Sequence, residues 1–144
     1  MTLRHGITVD ALNRRTLGTL PGFMGFRVMA LEQGMLVAEL DVRSDLLAAN
    51  GFLHAATVIT LADTACGYGC IAHLPKGAEN FTTVELKSNF LGTTRDGTIA
   101  CVARPAHLGK TTQVWDAVVS RRVDGRTIAL FRCTQMVLWP KPGA

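Results

Sequence analysis

The sequence predicts an α+β domain in which one curved antiparallel sheet wraps around a single long helix. Three observations support this: one apolar stretch of helical length, six strand-like runs, and short turns between the last four runs. Long strands joined by short turns pair antiparallel and twist into a curved sheet. A helix that is apolar on every side must be covered on every side, so we expect the sheet to enclose it.

The element boundaries follow from turn residues and from hydrophobic periodicity. The predicted elements are a short amphipathic helix over about residues 8–20, a break at Pro21-Gly22, strands over 23–31 and 35–42, a loop over 43–53, a buried helix over 54–74, and strands over 81–91, 98–108, 111–123 and 127–139. All of them belong to one domain over residues 1–144, because a chain of 144 residues is too short for two cores.

The apolar stretch at residues 54–74 has the length of a membrane span. Asp63 lies near its middle, and a carboxylate at the centre of a bilayer is costly. No second stretch of this kind occurs in the sequence. We therefore predict a buried core helix and no membrane partner.

Composition and charge limit the compartment and the partners. With 48% hydrophobic and 18% charged residues, the chain is not disordered. The formal charge of +4 is not arranged as a basic stripe with aromatic residues, so we expect no nucleic-acid partner. An anionic ligand or scattered surface bases explain it equally well. Four cysteines without a disulfide pattern and a polar N-terminal segment favour the reducing cytoplasm.

Asp63 is the only formally charged residue between His54 and Lys76. A carboxylate on a buried helix is costly unless it is hydrogen-bonded or faces a wet site. It is either a structural acid or a catalytic one. His54 stands at the expected start of the helix, where the unpaired amides of Ala55 and Ala56 can stabilise an oxyanion.

His54 and Asp63 cannot serve the same carbonyl within one chain. Nine helical residues rise about 13.5 Å and rotate by about 900°, which puts the two side chains on opposite faces. Two copies that pack their helices antiparallel about a two-fold axis bring Asp63 of one to the His54 end of the other. The sequence therefore predicts a homodimer with two shared sites.

Cys66, Cys70 and His73 share one helix face with a spacing that zinc can use. A fourth ligand is not evident, and small buried cysteines on packed helices are commoner. We predict no metal. Gly67 and Gly69 lie within the helix instead of after a strand, so they favour close helix–sheet packing over a dinucleotide site.

Two motifs carry a resemblance to a known family. Residues 50–56 read NGFLHAA, and residues 61–65 read LADTA. Together with the strand at 83–91 and the turns after it, they resemble hotdog-fold thioesterases of the phenylacetate-degradation (PaaI) type, over about residues 23–138. The resemblance implies one hotdog domain that dimerises, usually into a dimer of dimers, and hydrolyses acyl-CoA. Coenzyme A is then part of the substrate, and no separate cofactor is expected.

The resemblance also implies roles for individual residues. Asp63 matches the catalytic acid, which activates water or attacks directly. Asn50 matches the residue near the attacking water, and Thr83 matches a small hydroxyl residue near the carboxylate. His54 and the N–H group of Ala55 match the groups that polarise the thioester carbonyl.

The chain departs from the family pattern at two places. The family usually has His-Gly-Gly where this chain has a histidine and two alanines at 54–56, and Arg-Pro where it has Gly92-Thr93. The first change keeps the backbone amide, whereas the second removes the guide to the phosphate-binding residues. Arg95, Arg104 and Lys110 are the candidates for binding coenzyme A, and each is individually typical of a surface base.

Two other functions fit the same residues. A hotdog hydratase or dehydratase needs a histidine and an acid to move protons at carbon, which His54 and Asp63 also supply. A non-catalytic acyl-CoA-binding module needs neither. A substrate panel with release of free thiol as the readout separates the three.

Overall fold

The structure, a computed structural model, describes residues 2–143. Within that range, six strands form one antiparallel sheet in the order β1-β2-β4-β5-β6-β3. The elements are α1 (Val9–Arg15), α2 (Leu20–Met24), β1 (Arg27–Glu32), β2 (Met35–Asp41), a 3-10 turn (Ser44–Leu46), α3 (Ala55–Ala72), β3 (Asn80–Phe90), β4 (Thr98–Leu108), β5 (Thr112–Arg121) and β6 (Thr127–Leu138). The predicted α+β architecture is confirmed.

The connection from β2 to β3 positions the long helix. β2 lies second from one edge of the sheet, whereas β3 forms the opposite edge. The chain between them crosses the whole inner face, and α3 fills this crossover and packs against β2, β3, β4, β5 and β6. The curved sheet therefore encloses α3, while β3 is left with a neighbour on one side only.

Helix α3 is the core helix of the domain. It is long and apolar enough to cross a membrane, but 61% of its residues lie buried inside the domain. Leu61, Cys66 and Cys70 are fully buried in the same cluster as Trp115 of β5. Its apolar composition is thus explained by the sheet around it.

Two glycines of α3 allow the helix to lie directly on the sheet. A Cβ atom at Gly69 would come within 2.6 Å of the Trp115 ring, and one at Gly67 within 2.8 Å of the Phe81 ring. Real Cβ atoms do not approach other atoms so closely. These contacts agree with the packing role predicted for the pair.

The predicted single helix over residues 8–20 is wrong, because α1 ends at Arg15 and α2 begins at Leu20. Gly18 between them has a φ of +72°, which a right-handed helix does not contain. The hydroxyl groups of Thr16 and Thr19 donate to carbonyls three residues earlier and close the turns on each side. These local bonds compete with continuation of the helix.

The predicted break at Pro21-Gly22 and the strand start at residue 23 are also wrong. Pro21 lies in the first turn of α2, where its fixed φ and missing N–H fit a helix. Gly25 ends α2 in the left-handed conformation, and β1 starts only at Arg27. The remaining strands and α3 begin and end within two residues of the predicted positions.

Candidate active site

His54 caps the N-terminus of α3. Its Nδ1 atom accepts a hydrogen bond of 2.9 Å from the Ala56 N–H group. The proton of the neutral ring therefore lies on Nε2, which remains a donor. Of the two amides considered for an oxyanion site, Ala56 is thus engaged, and only the Ala55 N–H lacks a partner within the described residues. His54 Nε2 and the Ala55 amide are the donors at this helix end.

Asn50 lies in the turn that precedes α3. Its Oδ1 atom accepts a hydrogen bond of 3.1 Å from the Phe52 N–H group, which leaves Nδ2 as its available donor. Gly51 follows with a φ of +84°, a conformation that glycine adopts without a Cβ clash. Asn50, His54 and Ala55 are all exposed and belong to one short segment.

Asp63 lies on α3 and faces the edge strand β3. The Thr83 hydroxyl group lies 3.4 Å from Asp63 Oδ1, and no ion pair reaches this carboxylate within residues 2–143. Burial raises the pKa of Asp63 above its ordinary value, and the hydrogen bond from Thr83 offsets part of the rise. A half-buried carboxylate without a cation is costly, and a raised pKa makes it a stronger base.

The site residues form two groups within one chain. Asn50, His54 and Ala55 lie at the start of α3, whereas Asp63 and Thr83 lie halfway along it. Nine helical residues correspond to a rise of about 13.5 Å and to opposite helix faces. The structure therefore brings each group together and keeps the two groups apart.

An open groove of about 350 Å³ lies beside His54. Leu20 and Phe23 of α2 form one wall, and both side chains are exposed. Ala56 and Thr60 form the wall on the α3 side. The groove offers apolar surface next to the proposed carbonyl-polarising groups.

The three basic residues predicted to bind coenzyme A do not cluster within the chain. Arg95 and Lys110 flank the two ends of β4, and eleven strand residues span about 35 Å. Arg95 packs over the Phe52 ring at 4.4 Å, near the segment before α3. Arg104 donates to the Met35 sulfur, and Lys110 lies over a tryptophan ring. Of these three residues, Arg95 is the one that contacts the segment before α3.

His73 is held as a structural residue. Its Nδ1 atom bonds to the Gly69 carbonyl at 2.8 Å, and its Nε2 atom accepts from the Gly34 N–H group at 2.9 Å. Both ring nitrogens are thus engaged, so the ring has no lone pair for zinc. Residues 2–143 hold no group of three metal-ligating side chains.

Gln135 of β6 is a polar residue near the site that sequence reasoning missed. It is fully buried, and its Oε1 atom lies 2.8 Å from the Thr83 hydroxyl oxygen. Phe131, Cys133, Gln135 and Val137 share the inner face of β6 at period two. A glutamine at an inward position of an otherwise apolar face was the available signal.

Comparisons with known proteins agree with this fold. Residues 50–128 match the thioesterase superfamily. The 1,4-dihydroxy-2-naphthoyl-CoA hydrolase of Escherichia coli is 28% identical over 96% of this chain and 100% of its own. The acyl-coenzyme A thioesterase PaaI of the same organism is 28% identical over 76% of this chain and 75% of its own. A mutant thioesterase from Pseudomonas aeruginosa superimposes with a TM-score of 0.90 at 28% identity, covering 96% and 99% of the two chains.

These similarities confirm the predicted hotdog fold. They do not single out the PaaI type, because the naphthoyl-CoA hydrolase is equally similar and covers more of the chain. The superfamily match includes the end of the segment before α3, the whole of α3, and strands β3, β4 and β5. On the strength of that match and of the shared fold, the chain belongs to the thioesterase superfamily.

Proposed function

We propose that this protein hydrolyses acyl-CoA thioesters at a site shared between two copies of the chain. The observation that carries the proposal is Asp63, a half-buried carboxylate that has no cation beside it in residues 2–143 and that contacts the edge strand. Two relatives named as hydrolases of CoA thioesters support the substrate class.

The residues account for each requirement of the reaction. In one route water attacks the thioester carbonyl and Asp63 accepts its proton. In the other route Asp63 itself attacks, and water later hydrolyses the acyl–Asp63 anhydride that remains after the C–S bond breaks. The carbonyl oxygen gains negative charge, which the Ala55 amide and His54 Nε2 stabilise by hydrogen bonds. Asn50 Nδ2 holds the attacking water. The C–S bond then breaks, and coenzyme A leaves as a thiolate that takes up a proton.

The exposed edge of β3 supports a dimer. β3 has eleven residues and pairs with β6 alone, so one row of its backbone groups is open to another strand. Its exposed side chains include Val84, Leu86 and Phe90, which are apolar. Pairing of two β3 edges about a two-fold axis covers these side chains and joins the two sheets.

The same pairing places Asp63 at the proposed interface. Asp63 contacts Thr83, and Thr83 belongs to β3, so a second copy at this edge approaches the carboxylate. The hydrogen-bond donors for the carbonyl oxygen, which Asp63 lacks nearby in its own chain, come from the start of the second copy's α3. Each dimer then holds two equivalent sites, in which one copy gives Asp63 and the other gives His54.

The outer face of the sheet supports pairing of dimers into a tetramer. Val118 and Leu130 lie side by side on β5 and β6, and both are exposed. An exposed apolar pair on a strand face is typical of a surface that another chain covers. We propose this face for the contact between dimers.

The surroundings of His54 support an apolar acyl group. The groove lined by Leu20 and Phe23 is apolar enough to hold an acyl chain or ring, and Arg95 lies on the neighbouring loop, where it can bind a phosphate of coenzyme A.

The four free cysteines fit a reducing compartment, and we propose the cytoplasm.

A panel of acyl-CoA substrates with a thiol reagent tests this proposal. We expect wild type to release free coenzyme A, and Asp63→Asn to lose roughly 10²- to 10⁴-fold in kcat, as expected for loss of a catalytic base. The protein's own cysteines are buried, and burial raises the pKa of Cys70 and of Cys101 to about 12. The reagent therefore reports coenzyme A. Tight binding without thiol release by wild type would instead identify a binding module.

A further inference from the structure

Gln135 connects the candidate base to the interior of the sheet. It faces Thr83 across the β3–β6 pair and Gln113 across the β5–β6 pair. Its Oε1 atom lies 2.8 Å from Thr83 Oγ1, and its Nε2 atom bonds to the Cys133 sulfur at 3.2 Å. The Gln135 amide is thereby held at both ends.

The Thr83 hydroxyl group has two acceptors and one proton. Gln135 Oε1 is 2.8 Å away, whereas Asp63 Oδ1 is 3.4 Å away. Hydrogen bonds weaken as the distance between donor and acceptor grows, so the hydroxyl proton bonds mainly to the amide oxygen. Asp63 keeps only a long, weak hydrogen bond from the hydroxyl group.

We propose that Gln135 is a positioning residue for Asp63, because its Oε1 atom holds the Thr83 hydroxyl proton away from the carboxylate. This inference rests on the proposed function only in taking Asp63 as the base. A carboxylate that lacks a strong donor is poorly stabilised as an anion. Gln135 thus keeps Asp63 a stronger base than it would be with a close hydrogen bond from Thr83.

Few other titratable groups lie close enough to Asp63 to change its pKa. Cys66 of α3 lies near the carboxylate, and Cys133 of β6 and Cys101 of β4 lie near Cys66. The pKa of the Cys66 thiol is raised by its contact with Cys133 and by burial, so it stays neutral. Glu85 of β3 bonds instead to Thr134.

Within residues 2–143, the other strands add no charge that acts on Asp63. Glu39 of β2 is paired with Arg27 and Arg122. The inward side chains of β5 in this region are Gln113, Trp115 and Ala117, which do not titrate near neutral pH. In the proposed dimer, the second copy brings its own His54 toward the carboxylate.

The test compares Gln135→Met with Gln113→Met. Both glutamines are fully buried, but Gln113 bonds to the His73 carbonyl and to Trp115, away from Thr83. In Gln135→Met the Thr83 proton is free to turn to Asp63. We expect the acidic limb of the kcat/KM profile to move to lower pH and the plateau kcat to fall about three- to tenfold with KM unchanged, as for a weaker base. Gln113→Met should leave the limb in place.

Two further variants keep the test decisive. Gln135→Asn withdraws the oxygen by one methylene and should move the limb in the same direction if the methionine variant folds poorly. In a Thr83→Val background, Gln135→Met should cause no additional shift, because the proposed link is missing. An unmoved limb, a shift to higher pH, or an equal shift in Gln113→Met overturns the inference.

A readout without activity separates this inference from the proposed function. Carbon-13 NMR follows the titration of the Asp63 carboxyl group, which is assigned by the signal missing in Asp63→Asn. The pKa of Asp63 should be lower in Gln135→Met than in wild type. If wild type hydrolyses no acyl-CoA, the proposed function fails, whereas the NMR titration still decides the role of Gln135.

Discussion

The folded state is more stable when Asp63 is protonated than when it is ionised. Burial raises its pKa in the folded state, with a partial offset from Thr83. A raised folded pKa means that the folded state binds the proton more tightly than the unfolded chain does. The resulting stabilisation is present in full below the unfolded pKa and is lost as the pH rises through the folded pKa. At neutral pH the ionised group therefore costs stability.

Replacing Asp63 with asparagine should accordingly raise the melting temperature at neutral pH. The amide has nearly the same shape and carries no charge to desolvate. The difference between Asp63→Asn and wild type should shrink as the pH falls below the folded pKa of Asp63. Thermal unfolding across a pH series measures it, and a lower melting temperature for Asp63→Asn at neutral pH contradicts the explanation.

Asp41 provides a control of opposite sign. Hydrogen bonds from Arg27 and Thr98 lower the pKa of this exposed carboxylate. Its stabilisation is present above the unfolded pKa and is lost as the pH falls through the folded pKa. Asp41→Asn should therefore lower the melting temperature slightly at neutral pH, and that difference should vanish in acid.

The sequence showed that Asp63 is unusual, but it did not show which residue Gln135 contacts, and the reason is physical. An acid alone in an apolar helix stands out without knowledge of its neighbours. Gln135 matters because β3 pairs with β6, and that pairing brings Thr83 opposite to it. Strand order is a long-range property that the local pattern of β6 does not contain. The sequence likewise gave no sign that the His54 ring accepts a hydrogen bond from the Ala56 N–H group.

At the level of elements, α3 depends on two glycines of unequal importance. Gly69 faces Trp115, which is fully buried, whereas Gly67 faces the outer end of the partly exposed Phe81 ring. An added methyl group must displace its neighbour, and a buried tryptophan has little room to move. The ring of Phe81 can turn away more easily.

We expect Gly69→Ala to destabilise the fold by about 1–3 kcal/mol, as overpacked cores do. Alanine favours helices by up to about 1 kcal/mol over glycine, so Gly67→Ala should be close to neutral. Denaturant unfolding of both variants gives the two free energies of unfolding. Equal stability of the two variants contradicts the packing explanation.

The bounds of a helix or strand were predicted best where hydrophobic periodicity and turn residues were strongest. β4 begins and ends where the sequence predicts, because it alternates regularly between two turn pairs. The α1–α2 region was misjudged because hydrogen bonds from Thr16 and Thr19 and the left-handed Gly18 interrupt a pattern that looks continuous. Such side-chain competition leaves no mark on hydrophobic periodicity.

At the level of the whole molecule, the proposed mechanism needs two copies of the chain. The donors at the start of α3 are exposed, and the carboxylate lies nine residues further along on the other face. β3 offers an unpaired, partly apolar edge next to that carboxylate. The proposed two-fold dimer covers this edge and completes the proposed site.

Subunit complementation tests this shared site most directly. His54→Ser keeps a capping oxygen but removes the Nε2 donor, and Asp63→Asn removes the base, so each variant alone should be nearly inactive. Random mixing of equal amounts should restore about a quarter of wild-type activity, because half of the dimers are hybrids with one intact site of two. No recovery in hybrids whose formation is verified by differently tagged chains would contradict a site built from two copies.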